Sequence, residues 1–148
     1  MSGKRLAAVA VVAGLAVGLG SPPAGAEALR TRFANYAGVE ACLAYQADYG
    51  IHVFECNASS HEKWYWDDEL EYTALRNQGS GLCLTARNGQ SAMKPCLATD
   101  QAATWTISES NPRKIINAIT RTCLARMSNG LVHLATCTGG ESQRWWLS

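Results

Sequence analysis

The sequence predicts an all-β fold made of three similar units of about 40 residues, because several sets of residues recur with one period. Six cysteines form two series, and the members of each series stand 40 or 41 residues apart. Three tryptophans keep the same spacing, and an asparagine stands six or seven residues before the first cysteine of each unit. The series are Cys42, Cys83 and Cys123; Cys56, Cys96 and Cys137; Trp64, Trp105 and Trp145; and Asn35, Asn77 and Asn117.

Each unit is predicted to contain strands with one buried face, since apolar residues recur at fixed distances from the cysteines in an alternating pattern. A leucine follows each first cysteine, and an apolar residue stands three positions before each second one. The turn sequences between the cysteines predict a hairpin in every unit. They are Asp48-Tyr49-Gly50, Arg87-Asn88-Gly89 and Ser128-Asn129-Gly130. The segment 67–75 is expected to link the first two units.

Three all-β units of this size are compatible with a propeller, a sandwich or a trefoil. A unit of about 40 residues suits one four-stranded propeller blade, but three blades are too few to close a ring. A β-trefoil closes with three units, and we therefore predict a β-trefoil with one hairpin in each repeat.

Residues 1–26 have the layout of a secretory signal peptide. Lys4 and Arg5 form a positive start, an apolar run follows, and Ala24-Gly25-Ala26 fits a cleavage site. The apolar run is short for a transmembrane helix and contains several glycines. We therefore expect a secreted protein without membrane insertion, whose mature domain comprises residues 27–148.

The charge of this mature domain argues against nucleic acid as a partner. Of the 13 basic side chains in the whole chain, 11 remain beside 12 acidic ones, so the formal net charge is −1. Such a balance provides no excess of basic residues for binding nucleic acid or an anionic membrane.

The repeated motifs resemble those of the ricin B-chain type lectin family, whose repeat carries Cys-Leu, a second cysteine and Gln-x-Trp. The third unit keeps the full motif at Gln143-Arg144-Trp145. Glu62-Lys63-Trp64 and Ala103-Thr104-Trp105 keep only the tryptophan. The resemblance covers residues 29–148 and implies a β-trefoil whose motif tryptophans pack inside. It also implies a non-catalytic, carbohydrate-binding module.

The hairpins are shorter than those of the sugar-binding lectins. Together with Gly50-Ile51-His52 and the segment 129–133, they look closer to the ricin-like binding subunits of cytolethal distending toxins. Those subunits are non-catalytic trefoils that carry a nuclease partner to cell surfaces. This resemblance implies an alternative function, a protein-docking trefoil subunit of a toxin-like or enzyme complex.

The cysteine pattern predicts one disulfide inside each repeat. Six cysteines allow fifteen pairings, but a period that carries both cysteines favours pairing within each copy. The expected bridges are Cys42–Cys56, Cys83–Cys96 and Cys123–Cys137. A zinc site is disfavoured, because there are no close Cys-x-x-Cys pairs and an exported protein meets oxidants.

In the lectin family, each sugar pocket combines three side chains. They are an Asp two residues after the first cysteine, an aromatic residue two before the second, and an Asn just before Gln-x-Trp. No unit of this chain keeps the whole set. The three positions hold Ala44, Thr85 and Ala125; Phe54, Lys94 and Ala135; and His61, Ala102 and Ser142. The first unit departs least from the family's sugar pocket, since Phe54 keeps the aromatic ring.

Four candidate carbohydrate-binding residues come from this first unit. Phe54 would stack on a sugar, and His52 lies on the same predicted strand face. His61 replaces the asparagine, and Asp48 in the turn stands in for the lost carboxylate. In the alternative interpretation, Phe54 is an exposed hydrophobe and His52 is a satisfied surface residue.

Two further candidates come from strand alternation around the motif tryptophans. The three tryptophans are expected in the core, together with Trp66, Ile107 and Leu147 two positions later. The intervening Tyr65 and Trp146 should then point outward, where they contact a partner or cover an edge.

No catalytic residue, metal site or cofactor is predicted. His61-Glu62 begins a His-Glu-x-x-His zinc motif, but Tyr65 occupies the final position. The acidic residues 67–69 form a short run that is typical of a solvated loop. The expected partners are glycans or glycoconjugates, with a protein partner in the alternative function.

Overall fold

Thirteen short strands and three 3₁₀ turns make up residues 29–148, the part of the chain that the computed structural model describes. The strands are β1 (Leu29–Thr31), β2 (Phe33–Asn35), β3 (Ala41–Gln46), β4 (Gly50–Phe54), β5 (Trp64–Trp66), β6 (Arg76–Asn77), β7 (Cys83–Arg87), β8 (Gln90–Lys94), β9 (Trp105–Ile107), β10 (Ile115–Asn117), β11 (Cys123–Arg126), β12 (Val132–Ala135) and β13 (Trp146–Leu147). The 3₁₀ turns are Ser60–Glu62, Gln101–Ala103 and Glu141–Gln143. The predicted signal peptide lies outside the described residues, and no helix within them is long and apolar enough to cross a membrane.

One hairpin per repeat forms between the two cysteines, as predicted: β3–β4, β7–β8 and β11–β12. The repeated leucines lie directly opposite the apolar residues of the partner strand, so both point into the core. The three hairpins contact one another around the three-fold axis. Val53 donates its backbone N–H to the Gly130 carbonyl at 2.8 Å, and Ser91 Oγ donates to the Val132 carbonyl at 2.7 Å.

The remaining strands close a barrel in which each motif-tryptophan segment pairs on both sides. β5 pairs with β1 and β6, β9 pairs with β10, and β13 pairs with β2. Isolated bridges Thr73–Trp105 and Arg113–Trp145 complete the pattern. The segment 67–75 forms turns and no helix, in agreement with its expected role as a link.

The three motif tryptophans lie in the core, which confirms their predicted packing. Each is 0% exposed. Their indole N–H groups donate to the carbonyls of Leu43, Leu84 and Leu124 at 2.9, 2.8 and 3.0 Å. The ring therefore fills the centre of the repeat, and its polar atom is satisfied by the strand that follows the first cysteine.

The alternation after each tryptophan is also confirmed. Trp66 and Ile107 are buried, Leu147 is half-buried against the core cluster, and Trp146 is exposed. All three disulfides join the predicted cysteines, with Cα–Cα distances of 5.1, 5.0 and 5.1 Å. In each bridge the first cysteine is buried beneath the hairpin and the second lies nearer the surface.

The repeated asparagines tie each repeat to the one before it. Asn77 Nδ2 donates to the His61 carbonyl at 2.8 Å, and Asn117 Nδ2 donates to the Ala102 carbonyl at 3.0 Å. Asn35 closes the ring by donating to the carbonyls of Glu141, Ser142 and Arg144 at 3.0–3.2 Å. All three asparagines are 0% exposed. These amide clamps explain why asparagine keeps the same period as the tryptophans.

The first position of the Gln-x-Trp motif holds the loop after the second cysteine. Gln143 Oε1 accepts the Thr138 N–H at 2.8 Å, and its Nε2 donates to the Thr136 carbonyl at 2.8 Å. Glu62, which is 1% exposed, accepts the N–H groups of Asn57 and Ala58 at 2.8 and 2.7 Å. A glutamate therefore does in the first repeat what glutamine does in the third.

Glu62→Ala should lower the free energy of unfolding by about 1–3 kcal/mol, because two backbone N–H groups lose their acceptor. Glu62→Gln should cost less, since Gln143 makes the equivalent contact in the third repeat. Thermal unfolding of both variants measures the difference. If Glu62→Ala melts with the parent, the Glu62 carboxylate is not needed to hold this loop.

Candidate functional site

The positions that carry the pocket carboxylate in the lectin family are closed in this chain. Ala44, Thr85 and Ala125 are only 2, 0 and 2% exposed. The Thr85 hydroxyl is engaged inside its own hairpin, where Oγ1 donates to the Ala92 carbonyl at 3.0 Å. None of these three positions therefore presents a carboxylate or a free hydroxyl to a ligand.

His52 and Phe54 do lie on one face of strand β4, as predicted. Their strand partners are Ala44 and Cys42, and their ring centroids are 6.2 Å apart in an edge-to-face arrangement. Phe54 is 57% exposed, but His52 is buried at 8%, so the interpretation of His52 as a surface residue is wrong. The cause is packing, since the Tyr49 ring centroid lies 5.8 Å from that of the imidazole and His52 forms a strand bridge to Leu131 of the third hairpin.

The hydrogen bond of His52 fixes its tautomer. Nδ1 lies 2.9 Å from the Gly50 carbonyl oxygen, which only accepts. Nδ1 therefore carries the proton, and in a neutral ring Nε2 is left as an acceptor. The imidazole is held by the hairpin hydrogen bond and by the two neighbouring aromatic rings, and it packs against the ring of Phe54.

The other three candidates are not brought to Phe54. Asp48 is exposed in the hairpin turn. His61 is half-buried in the first 3₁₀ turn and lies against Gly79 of the next repeat. Tyr65 belongs to a different sheet, and the guanidinium of Arg76 covers its ring at 4.6 Å from the centroid. Their role in binding stays a prediction.

An open cavity of about 400 Å³ lies where the third repeat meets the first. Its wall consists of Tyr36, Glu141, Arg144 and Trp146, which we call the aromatic corner. The rings of Tyr36 and Trp146 are 6.1 Å apart between centroids and stand at 88° to each other. Tyr36 is 50% exposed and Trp146 is 38% exposed. Two aromatic surfaces at right angles thus face one mostly apolar space, with a carboxylate and a guanidinium at its edge.

Hydrogen bonds position the backbone of the aromatic corner and two of its side chains, Tyr36 and Arg144. The Asn35 amide holds the backbone of Glu141 and Arg144 directly beside Tyr36. Arg144 Nε donates to the Gly139 carbonyl at 2.8 Å, which anchors the guanidinium. Tyr36 donates its hydroxyl to Glu40 Oε1 at 3.2 Å. Partial desolvation, and then the hydrogen bond and charge of Glu40, raise the pKa of Tyr36 above its usual value, so the phenol stays neutral.

The three-fold repeat supplies an internal comparison for this corner. The equivalent residues at the junction of the first and second repeats are Ser60, Lys63, Tyr65 and Gln78. At the junction of the second and third they are Gln101, Thr104, Thr106 and Ala118. Both junctions fold without two facing aromatic rings. The fold therefore does not require Tyr36 and Trp146 to be aromatic, which marks the corner as a candidate site.

Sequence reasoning identified Trp146 but missed Tyr36, Glu141 and Arg144. A signal for Tyr36 was present, because it follows a repeated asparagine at a position that holds Gln78 and Ala118 in the other repeats. Neither charged residue stands out in the sequence. Among residues 29–148, no three or more His, Cys, Asp or Glu side chains are grouped so that they could hold a metal ion.

The model of the ricin-type β-trefoil lectin domain matches residues 71–148, slightly more than half of the chain. The chain belongs to the ricin-type β-trefoil lectin family. This result confirms the predicted family and the predicted fold. A search of curated proteins finds no match.

Solved structures of the same fold resemble the ricin-type trefoil described here. A designed three-fold symmetric protein, ThreeFoil, superposes with a TM-score of 0.68 at 13% identity, covering 80% of this chain and 96% of its own. The cytolethal distending toxin of Haemophilus ducreyi matches with a TM-score of 0.68 at 18% identity, covering 80% and 82%. A Polyporus squamosus lectin, solved with a sialylated influenza-binding epitope, gives 0.68 at 16%, covering 82% and 49%. At these identities the likeness establishes the fold alone.

Proposed function

We propose that this ricin-type trefoil is a secreted, non-catalytic module that binds carbohydrate at the aromatic corner. The observation that carries the proposal is the pair Tyr36 and Trp146, two exposed rings at 88° around one cavity. They occur at one of the three junctions only. A ligand pocket typically combines a mostly apolar wall with a few placed polar groups, and this corner has that composition.

The chemistry of a sugar suits this arrangement. A pyranose has an apolar face of C–H bonds and a rim of hydroxyl groups. One aromatic ring offers its face to the C–H bonds while the other, nearly perpendicular, closes the side of the space. The Glu141 carboxylate accepts hydrogen bonds from hydroxyl groups, and the Arg144 guanidinium donates hydrogen bonds to hydroxyl oxygens. The carboxylate positions of the family's pocket contribute nothing to the aromatic corner, because Ala44 and Ala125 are buried and lack polar side chains.

Export of the protein is consistent with both the leader sequence and the bridges. Residues 1–26 have the layout of a signal peptide. All six cysteines are paired, which is typical of a domain that folds in an oxidising compartment. Glycans and glycoconjugates outside the cell are then the accessible ligands.

A second function, protein docking, is favoured by a specific observation. Large apolar side chains are exposed near the same side of the molecule, with Val39 at 78%, Tyr49 at 69% and Phe54 at 57%. Such a grouping is typical of protein-binding surfaces. Under this alternative, the trefoil docks a toxin-like or enzymatic partner, and its inherited sugar pockets are abandoned.

The test of the first function is a matched pair of substitutions. After a glycan array has identified ligands, Trp146→Ala should weaken their binding at least about tenfold, roughly 1.4 kcal/mol. Thr106→Ala changes the equivalent position of the second repeat and should leave the dissociation constant within about twofold. Calorimetric titration on both variants and the parent measures the effect.

Two results would contradict this assignment. If Trp146→Ala keeps the parent's affinity while remaining folded by circular dichroism, the aromatic corner is not the binding site. If the parent binds no glycan but retains a stoichiometric protein partner from culture fluid, docking is the function instead.

A further inference from the structure

A row of four directly opposed residues crosses the sheet β13-β2-β3-β4. Trp146 lies opposite Ala34, Ala34 opposite Cys42, and Cys42 opposite Phe54. Residues that face each other across antiparallel strands project from the same side of a sheet. Trp146 and Phe54 therefore project from the same side of the sheet and are exposed there, whereas Ala34 and Cys42 between them are covered, at 0% exposed. With neighbouring strands about 4.8 Å apart, the path between them along the sheet is about 14 Å.

The other two repeats build the same row from different side chains. In the second repeat the row is Tyr65, Arg76, Cys83 and Lys94. In the third it is Thr106, Ile116, Cys123 and Ala135. Only the first row has aromatic rings at both ends, with the small Ala34 where the others carry Arg76 or Ile116. The fold therefore does not require aromatic rings at the two ends of a row, and the first row is specialised.

Phe54 lines a second open cavity of about 680 Å³. Its wall also includes Glu40, Glu55, Arg126 and the turn residue Asn129 of the third repeat. The two cavities are neighbours, because the Tyr36 hydroxyl of the aromatic corner donates to Glu40 of the second cavity. One hydrogen-bonded chain segment, 35–40, forms the boundary between them.

The guanidinium of Arg126 holds this boundary segment in place. Its Nη1 donates to the Val39 carbonyl at 2.7 Å and to the Asn35 carbonyl at 3.4 Å. Arg126 belongs to the third repeat and segment 35–40 to the first, so a contact between repeats fixes the boundary between the cavities. A preformed boundary allows an extended ligand to cross it without the cost of ordering this segment.

We propose that the aromatic corner and the second cavity are two subsites of one groove that binds an extended, neutral oligosaccharide. This inference rests on the proposed carbohydrate-binding function. Trp146 and Phe54 are the two stacking platforms, and the charged groups along the groove bind hydroxyls. Three carboxylates (Glu40, Glu55, Glu141) outnumber two guanidinium groups (Arg126, Arg144), so a polyanionic chain is disfavoured.

This groove differs from the pocket that the family places inside a single repeat. Phe54 occupies the family's aromatic position, but its carboxylate partner position is Ala44, which is buried and faces His52. The second cavity is completed by the hairpin turn of the third repeat instead. Ligand therefore runs between repeats, and its affinity should depend on its length.

Calorimetric titration with length series of lactosamine, cello-, xylo- and manno-oligosaccharides tests the proposal, with oligogalacturonide as the charged counterpart. At least one neutral series should bind about tenfold or more tightly as the tetrasaccharide than as its monosaccharide. Phe54→Ala should remove this gain with length, whereas Phe54→Tyr should retain it. Lys94→Ala, at the equivalent position of the second repeat, should leave the gain with length unchanged.

The outcomes distinguish a failure of the proposed groove from a failure of the proposed carbohydrate-binding function. Equal binding of mono- and tetrasaccharide, with no effect of Phe54→Ala, would overturn the groove while leaving carbohydrate binding intact. Binding of oligogalacturonide alone would overturn the neutral occupant. If no series and no array glycan binds the parent, the carbohydrate-binding function fails and the groove fails with it. Melting curves confirm that Phe54→Ala is folded, as expected for a ring that is 57% exposed.

Discussion

Trp145→Ala should lower the free energy of unfolding by about 3–5 kcal/mol, whereas Trp146→Ala, one residue later, should cost less than half as much. The two rings lie on opposite faces of the same strand segment. Trp145 is 0% exposed and donates its indole N–H to the Leu124 carbonyl at 3.0 Å, while Trp146 is 38% exposed. Removal of Trp145 leaves a cavity at the centre of the third repeat and a buried carbonyl without its donor.

Thermal unfolding of the adjacent pair measures the difference. For a domain of this size the loss predicted for Trp145→Ala corresponds to a decrease of about 10–20 °C in the melting temperature. Trp145→Phe keeps most of the ring but loses the N–H donor, so its melting temperature should lie between those of the parent and Trp145→Ala. If Trp145→Ala does not fold, Trp145→Phe replaces it in the comparison. If Trp146→Ala melts as early as Trp145→Ala, the assignment of the two faces is wrong.

Reduction of the disulfides should unfold most of the protein at ambient temperature. Each bridge closes a loop of about 15 residues, which is worth about 3 kcal/mol on the loop-entropy model. Three such losses together are comparable to the whole stability of an ordinary domain, about 5–15 kcal/mol. A core of this size does not offset them.

Unfolding with and without reductant, followed by thiol titration, measures this effect. Cys96 and Cys137 are exposed, whereas both cysteines of the first bridge are at least half-buried. We therefore expect the Cys42–Cys56 bridge to react last. A protein with six titratable thiols and an unchanged melting curve would show that the core alone maintains the fold.

The fold could be predicted from the sequence because each repeat must satisfy the same local requirements. A tryptophan in the core, a leucine carbonyl to accept its N–H, and a bridge across the hairpin recur at one period. The asparagine marker was recognised as periodic, but its clamp on the preceding repeat emerges only when the repeats are packed. The pairing of the cysteines was correct for the same reason, since each bridge lies within one repeat.

The candidate site could be predicted only in part, because it lies between repeats. Trp146 was identified from alternation within its own strand. Tyr36 joins it only because β13 pairs with β2, which brings together residues from opposite ends of the domain. The burial of His52 was missed because it depends on the ring of Tyr49 and on a bridge to Leu131 in another hairpin. Patterns within one repeat carry no information about these contacts.

The asparagine clamps have a consequence for the order in which the chain folds. Two of them close over short distances, since Asn77 and Asn117 reach acceptors only 16 and 15 residues away. The third spans almost the whole domain, because Asn35 binds carbonyls 106 to 109 residues further along. Closing such a loop is entropically costly and slow compared with local pairing.

The junctions between the first and second repeats and between the second and third can therefore form early. The junction between the third repeat and the first forms only after the last residues of the domain have folded. Tyr36 and Trp146 meet only at this final closure. The aromatic corner is thus complete only when the ring closes, so a partly folded chain contains paired repeats but lacks the proposed binding site. Formation of that site and closure of the ring are then one kinetic event.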